Sequence, residues 1–450
     1  MMKRKNKFAA LTLTASLMLS GVVMMPADFS GPATAEAAKP GNPAAFDKKV
    51  TARIDERRIY EDVRRLSVDI GPRVAGTEEE RVAAGMIRER LQSYGYEIDV
   101  QEFAIPDTMV GHLSTSGGEE VTVSIPSGSA STPPDGLTAP LYDAGLGYPE
   151  DFTEAAAGKI ALIQRGEIGF RDKIDHAAAA GASAVLIYDN SEQSGPPNMS
   201  IGTDAPIPVA GIKKVSGEAL LEDIAATGGS VTLKVDALSG RTSQNIIAKR
   251  TPKKGTNHEI VYVSAHFDSV PLAPGANDNA SGTATALEIA RVLKSYPIDK
   301  EVRFVFVGAE EIGLLGSEHY VSTLSGQELS RSLTNFNMDM VGTGWENATA
   351  IYLNTVDGLP NLSTESAMAA GERIGTPSEL VLYKRGSSDH VSFHEAGIPA
   401  VNFIRREPGT AALEPYYHSP EDTIDHISIG RLKEAGDLVG SAVYSVIRSN

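Results

Sequence analysis

Five residues in the C-terminal half of the chain carry side chains suited to a pair of metal ions: His266, Asp278, Glu311, Asp339 and His418, with Glu310 beside the third. Two imidazoles and three carboxylates give each of two zinc ions one histidine, one private carboxylate and a share of a bridging carboxylate. A position is then left for water. Three carboxylates against two dications leave one positive charge, which a bridging hydroxide neutralises. Glu310 has no ligand duty in this count and remains a proton acceptor. The set reads as a hydrolase site.

The elements around these residues are of the kind that place ligands at strand ends. His266 closes the apolar run from Val261 to Ala265 and forms an H-x-D with Asp268. Glu310 and Glu311 follow the run from Val302 to Val307, and Asp339 follows Leu333 to Met338. Such runs predict buried strands, the third less clearly than the others. Open α/β sheets hold their sites just beyond the carboxyl ends of strands. Asp278 lies in a loop of Gly, Asn, Ala and Ser, Gly275 to Gly282, that opens a helix running to about Tyr296; small residues there admit close backbone approach. Each residue has a plainer explanation alone. The H-x-D can be a hydrogen-bonded pair, Glu310-Glu311 the first turn of a helix, Asp278 an N-cap, Asp339 a turn residue and His418 a loop histidine. Their joint occurrence, in order and at strand ends, favours the metal site.

The same residues resemble a known family. His266-x-Asp268, Asp278 within Asn277–Gly282, Glu310-Glu311-x-Gly313-Leu314-x-Gly316-Ser317, Asp339 and Tyr417-His418-Ser419 are similar to the co-catalytic zinc aminopeptidases of peptidase family M28. The likeness extends to Asp69–Thr77 and to Ser388-Asp389-His390, and covers essentially the whole chain after its leader. It implies one zinc held by His266 and Asp339, the other by Glu311 and His418, with Asp278 bridging. It also implies Asp268 orienting His266, Glu310 as the base, and Tyr417 hydrogen-bonding the oxyanion. For Asp422, four residues after His418, accepting a hydrogen bond from that imidazole competes with a loop or cap role before Thr423. The implied fold is α/β: a zinc-peptidase (phosphorylase/hydrolase-like) mixed-sheet α/β/α domain. Residues 106–238, with Gly158–Gly166 and Ala178–Ala182, are similar to a β-rich protease-associated (PA) domain. The expected division is 1–37 signal peptide, 49–105 and 239–450 peptidase domain, and 106–238 PA insertion.

Composition supports export. A basic start (Lys3, Arg4, Lys5, Lys7), an apolar stretch from Phe8 to Met25 and A-x-A sites within Ala33–Ala37 read as a secretory signal. No later apolar run is long enough to span a bilayer. There is no cysteine, so the fold relies on a large core and bound metal, since export would otherwise permit disulfides. Removing the leader takes the net charge from −17 to −19, which disfavours nucleic acid and anionic membrane as partners. The mature protein is expected outside the cell, as a monomer.

Along the chain, 38–48 reads as flexible, Lys49 to Leu66 as one helix, and 77–94 as another with a capping box from Thr77 to Glu80. Glu97 to Ile105 alternates as a strand, and Leu432 to Ile447 closes the chain as a helix. Within the insertion, Ile160–Ile163, Phe170–Ala180 and Ala184–Tyr188 form a β-α-β; His176 on that helix reads as structural. Ser388 or Asp389 is expected to cap a helix from His390 to Glu395. His390 and His394, four apart, are left out of the metal set. The function expected is release of N-terminal, leucine-like residues from peptides with a free N-terminus. The alternatives are a carboxypeptidase, which would need a cation such as Arg385, Arg405 or Arg406 for the terminal carboxylate, a single-zinc glutaminyl cyclase, or a non-catalytic binding protein.

Overall fold

A computed structural model describes residues 43–448 apart from 192–194, 198, 203 and 257. The leader segment 1–37 lies outside the described residues. The first of two eight-stranded sheets comprises β1 (Glu97–Ala104), β2 (Thr242–Arg250), β3 (Ile260–His266), β4 (Glu301–Val307), β5 (Ser332–Met338), β6 (Ala350–Thr355), β7 (Leu380–Lys384) and β8 (Ala400–Arg406). Its spatial order is β1-β2-β4-β3-β5-β8-β6-β7. The four neighbours β4, β3, β5 and β8 are parallel, while β1, β2 and β6 pair with antiparallel partners.

The apolar runs produce this arrangement because both faces are covered. Alternation along a strand sends Val261, Val263 and Ala265 to one face and Tyr262 to the other. The first face packs beneath α2 (Glu56–Arg64), α3 (Glu78–Ser93), α4 (Gly282–Leu293), α6 (Leu362–Ile374) and α8 (Ile429–Ile447). The second packs against Tyr320 of α5 (Leu315–Ser322) and Phe393 of α7 (His390–Glu395). The result is the expected α/β/α domain.

The second sheet is built from 108–238. Parallel strands Leu137–Asp143, Ile160–Gln164, Ala184–Tyr188 and Val209–Ile212 are flanked by antiparallel Thr108–Thr115 and Ser230–Leu238 and by two-residue strands at either edge. It has its own cores, one on each face. His176 is structural, its Nδ1 2.8 Å from Gly147 O. Among the described residues no helix is long and apolar enough to cross a membrane.

Two expectations at the N-terminus are corrected. Of 38–48, expected to be flexible, residues 43–48 belong to helix α1 (Pro43–Thr51), and 38–42 lie outside the described residues. Its Phe46 ring meets Tyr444 edge-on at 5.3 Å, and Asp47 binds Arg373 at 2.7 Å. The single helix expected from Lys49 to Leu66 is broken before Glu56, because Asp55 is extended and caps the next helix through Arg57 and Arg58 N–H. Thr77 caps α3 as expected, accepting from Glu80 N. The Glu80 carboxylate, however, reaches back to Gly76 N at 2.6 Å instead of the cap residue.

Candidate metal centre

Three parallel strands end side by side at the site. His266 is the last residue of β3 and pairs in register with Val307, the last of β4; Asp339 directly follows β5. Below them a buried polar lattice ties the strands together. Ser264 Oγ donates to Asn337 Oδ1 at 2.7 Å, and Asn337 Nδ2 donates to Ser388 Oγ at 2.9 Å and Asn402 Oδ1 at 3.1 Å. The Asp278 loop, whose backbone leaves helical geometry at Asp278 and Asn279, is fastened across β5: Asn279 Nδ2 donates to Met338 O at 2.8 Å and Asn279 Oδ1 accepts from Met340 N. A Cβ on Gly282 would lie 2.3 Å from Met338 O, so only glycine permits this approach.

The geometry at the top is that of two adjoining donor clusters. His266 Nε2 lies 3.3 Å from Asp278 Oδ1 and 3.5 Å from Asp339 Oδ1. His418 Nε2 lies 3.2 Å from Asp278 Oδ2 and 3.0 Å from Glu311 Oε2. The two oxygens of Asp278 therefore face different histidines. Glu310 joins His266 and Glu311 in a third grouping whose donor atoms lie within 4.8 Å of one another. His266 Nδ1 and Nε2, Glu311 Oε1 and Asp339 Oδ1 are buried without a hydrogen-bond partner. Native proteins rarely leave such atoms unpaired. Converging imidazole and carboxylate donors of this kind fit divalent zinc. Three residues at the site are also held in the left-handed region, Ala309 (φ 57°), Met340 (φ 62°) and His418 (φ 54°), a placement typical of functional sites.

The charges are strongly interdependent. Burial alone would depress both histidines. The carboxylates overcome it, raising His266 well above its ordinary value, through Glu310 first, and His418 to about 10 through Asp278 and Glu311. Burial pushes Glu311 up to about 7 and Glu310 well up, with Asp389, Glu311 and Asp339 adding to the effect on Glu310. Burial would raise Asp278 too, but the two histidines hold it below the usual carboxylate range. Metal binding must displace the protons these groups share.

Other residues named from the sequence surround the centre. Asp268 lies 3.5 Å from His266 Nδ1, while its two oxygens accept the backbone N–H groups of Glu310 (3.2 Å) and Glu311 (3.1 Å). Asp422 does not serve His418; its oxygens accept Asn277 N at 2.8 Å and Asp278 N at 3.0 Å. Each buried carboxylate thus grips two consecutive amides of a ligand-bearing loop. Asp389 does not cap α7. It makes no side-chain cap bond, is fully buried, and neither oxygen has a hydrogen-bond partner. Its carboxyl, pushed up to about 7 by burial, feels His266 and Asp339. Nor does Ser388 cap; it accepts from Asn337. Tyr417 is 39% exposed and stacks on His418 with ring centroids 3.8 Å apart. His390 Nε2 is 2.9 Å from Arg385 O, and it joins no metal grouping among the described residues. Arg405 is committed to Val341 O, Ser378 Oγ and Glu434 Oε2, so it cannot receive a terminal carboxylate. Sequence reasoning passed over Glu414, whose Oε1 accepts from Asn277 Nδ2 at 2.7 Å. No local signal marks it.

Comparison with known proteins gives the family. The family model for peptidase family M28 matches residues 245–443, and that for the PA domain matches 137–220. The aminopeptidase YwaD of Bacillus subtilis is 50% identical over 438 residues, 97% of this chain and 93% of that protein. A probable lipoprotein aminopeptidase, LpqL of Mycobacterium tuberculosis, is 31% identical over 83% of this chain and 80% of its own length. Among solved structures, BSAP, a zinc aminopeptidase from Bacillus subtilis, superposes with a TM-score of 0.76 at 51% identity, covering 88% of this chain and 96% of that one. An aminopeptidase from Aneurinibacillus gives 0.63 at 38% identity, over 90% and 97%. The chain belongs to peptidase family M28, as a metal-dependent aminopeptidase that carries a PA domain.

Proposed function

We propose that the protein is an exported aminopeptidase with two zinc ions, releasing apolar N-terminal residues from peptides. The observation that carries the two-ion reading is the split of Asp278, one oxygen toward His266 and the other toward His418. On this reading His266 and Asp339 hold one zinc and Glu311 and His418 the other. The peptidase domain comprises 49–105 and 239–450, with 106–238 inserted and 1–37 removed on export.

When bound, the zinc pair lowers the pKa of a water and polarises the scissile carbonyl. The protein does the rest. Glu310, a carboxylate with no ligand duty, takes the proton from the attacking water and delivers it to the leaving amine. Asp268 fixes Glu310 and Glu311 through their amides and lies beside His266, so one carboxylate positions base and ligand together. The Tyr417 hydroxyl is held protonated by burial and by the carboxylates of Asp278 and Glu311, and so keeps a proton to donate to a developing oxyanion. The acidic cluster suits a substrate ammonium.

Metal analysis, combined with digestion of one apolar-led peptide bearing a free or an acetylated N-terminus, tests the proposal. Two zinc ions per chain and stepwise release from the free peptide alone are expected. Trimming of the acetylated peptide from its C-terminus would overturn the direction.

A further inference from the structure

Arg73 lies in the turn between the π-helical stretch 65–70 and α3, and none of it reaches solvent. Its guanidinium is bound by main-chain carbonyls. Nε donates to Phe267 O at 2.7 Å. Nη1 lies 2.7 Å from Pro274 O, 3.0 Å from Gly71 O and 3.1 Å from Leu66 O, and Nη2 donates to Gly275 O at 2.9 Å. Its main chain pairs with the same loop, through Ser269 Oγ at 3.0 Å and Ser269 N at 3.2 Å. Phe267 follows His266, and Gly275 stands three residues before Asp278. One side chain therefore clasps both ends of the loop joining two of the ligands. Gly275 (φ +63°) records how tight the clasp is: a Cβ there would lie 2.8 Å from Arg73 Nη2 and 2.5 Å from Asp278 O.

Burying a guanidinium among carbonyls is costly. Burial lowers Arg73 to about 10, against the pull of the Asp422, Asp268, Asp278 and Glu311 carboxylates. A lysine would offer a single point charge, whereas arginine offers a rigid planar fork of donors.

We propose that Arg73 is a positioning residue of the metal centre, fixing the spacing of His266 and Asp278 and through it the affinity for the ion on the His266 side. The proposal rests on the ligand assignment given above. A bare charge and a clasp make opposite predictions. As a charge, Arg73 repels cations and its loss tightens zinc; as a clasp, its loss loosens zinc.

The test is zinc affinity, by chelator competition, for both equivalents in wild type, Arg73→Met, Arg73→Lys and Gly275→Ala, with thermal unfolding to verify folding. All three variants are expected to bind one of the two ions about 10–100-fold more weakly, the usual cost of removing outer support from a ligand, while the other ion changes less. Arg73→Lys is not expected to rescue. Tighter or unchanged zinc in Arg73→Met, or wild-type affinity in Arg73→Lys, overturns the clasp. Should Arg73→Met fail to fold, Arg73→Lys and Gly275→Ala decide by the same criterion. His266→Ala identifies which ion is at issue. Wild type binding fewer than two equivalents would count against the two-zinc reading instead, leaving the clasp to be judged on the zinc that His266→Ala removes.

Discussion

The chain contains two eight-stranded sheets, each with a run of four parallel strands, yet their carboxyl ends are furnished in opposite ways. In the peptidase sheet, β3, β4 and β5 lead to His266, Glu310–Glu311 and Asp339, where several buried atoms lack protein partners. In the inserted sheet, Ile160–Gln164 and Ala184–Tyr188 lead to Arg165 and Asp189, which satisfy each other: Arg165 Nη1 lies 3.2 and 3.1 Å from the two Asp189 oxygens. Asp189 Oδ1 also accepts from Asn190 N, Ser191 N and Ser191 Oγ. Parallel strand ends supply a place. Chemistry begins where buried donors are left over for a ligand.

The largest expected effect is on the base. Glu310→Gln should lower kcat by about 10²–10⁴-fold, the usual worth of general base help, while both metals remain. Near-normal hydrolysis by a metal-loaded variant would remove the main functional contrast between the sheets. The next effect is on metal content. Asp278→Asn should reduce zinc at both positions, whereas His418→Ala should chiefly empty one. Two equivalents held tightly by Asp278→Asn would show that the bridge lies elsewhere.

A smaller effect separates support from chemistry on the peptidase side. Glu80 is buried behind the Glu310 loop, with Ser243 Oγ and Gly76 N each 2.6 Å away, and burial followed by the Asp268 charge pushes its pKa up to about 8. Its folded pKa lies above the unfolded value, so its contribution to stability is full below about 4.5 and is lost as pH rises through 8. Glu80→Gln mimics the protonated form. Across that window the wild type should lose stability relative to the variant, by at most about 1.4 kcal/mol per pH unit, and the difference should level off above pH 8. Urea midpoints of both metal-free proteins measure it, because the remaining site carboxylates are common to the two. Parallel curves would mean that Glu80 is ionised in the fold.

Much of this was legible in the sequence because strand ends and ligands share one signal: an apolar run that stops at His266, or three residues before Glu310, marks both. The β-α-β of the insertion was legible for the same reason. What escaped was long-range. Asp55 breaks a helix whose periodicity continues through Ile54 and Ile59, both still buried. Asp389 stands where a cap belongs, yet its oxygens have no cap partner, and only the fold brings it near His266. Asp422 stands four residues from His418, yet it binds amides some 145 residues away, which neither of its two local readings names. Arg73 was visible in a motif, although nothing local reveals five carbonyls around it.

The smallest expected effect on activity is on the inserted side. Asp189→Asn keeps shape while removing the charge that Arg165 faces. Arg165 is 36% exposed and can turn to water, whereas Asp189 is buried. The cost should therefore fall in stability, about 1–3 kcal/mol for a buried polar group left poorly paired. Zinc content and kcat/KM on a small chromogenic amide should stay within about twofold, since none of the metal-centre donors is touched. Long peptides are the informative substrate: if the insertion positions them, their KM rises while the small amide is unaffected. Loss of zinc, or of small-amide turnover on the scale of Glu310→Gln, in a folded Asp189→Asn protein would show that the two sheets are chemically coupled. The contrast between a satisfied and an unsatisfied strand end would then no longer explain where the chemistry lies.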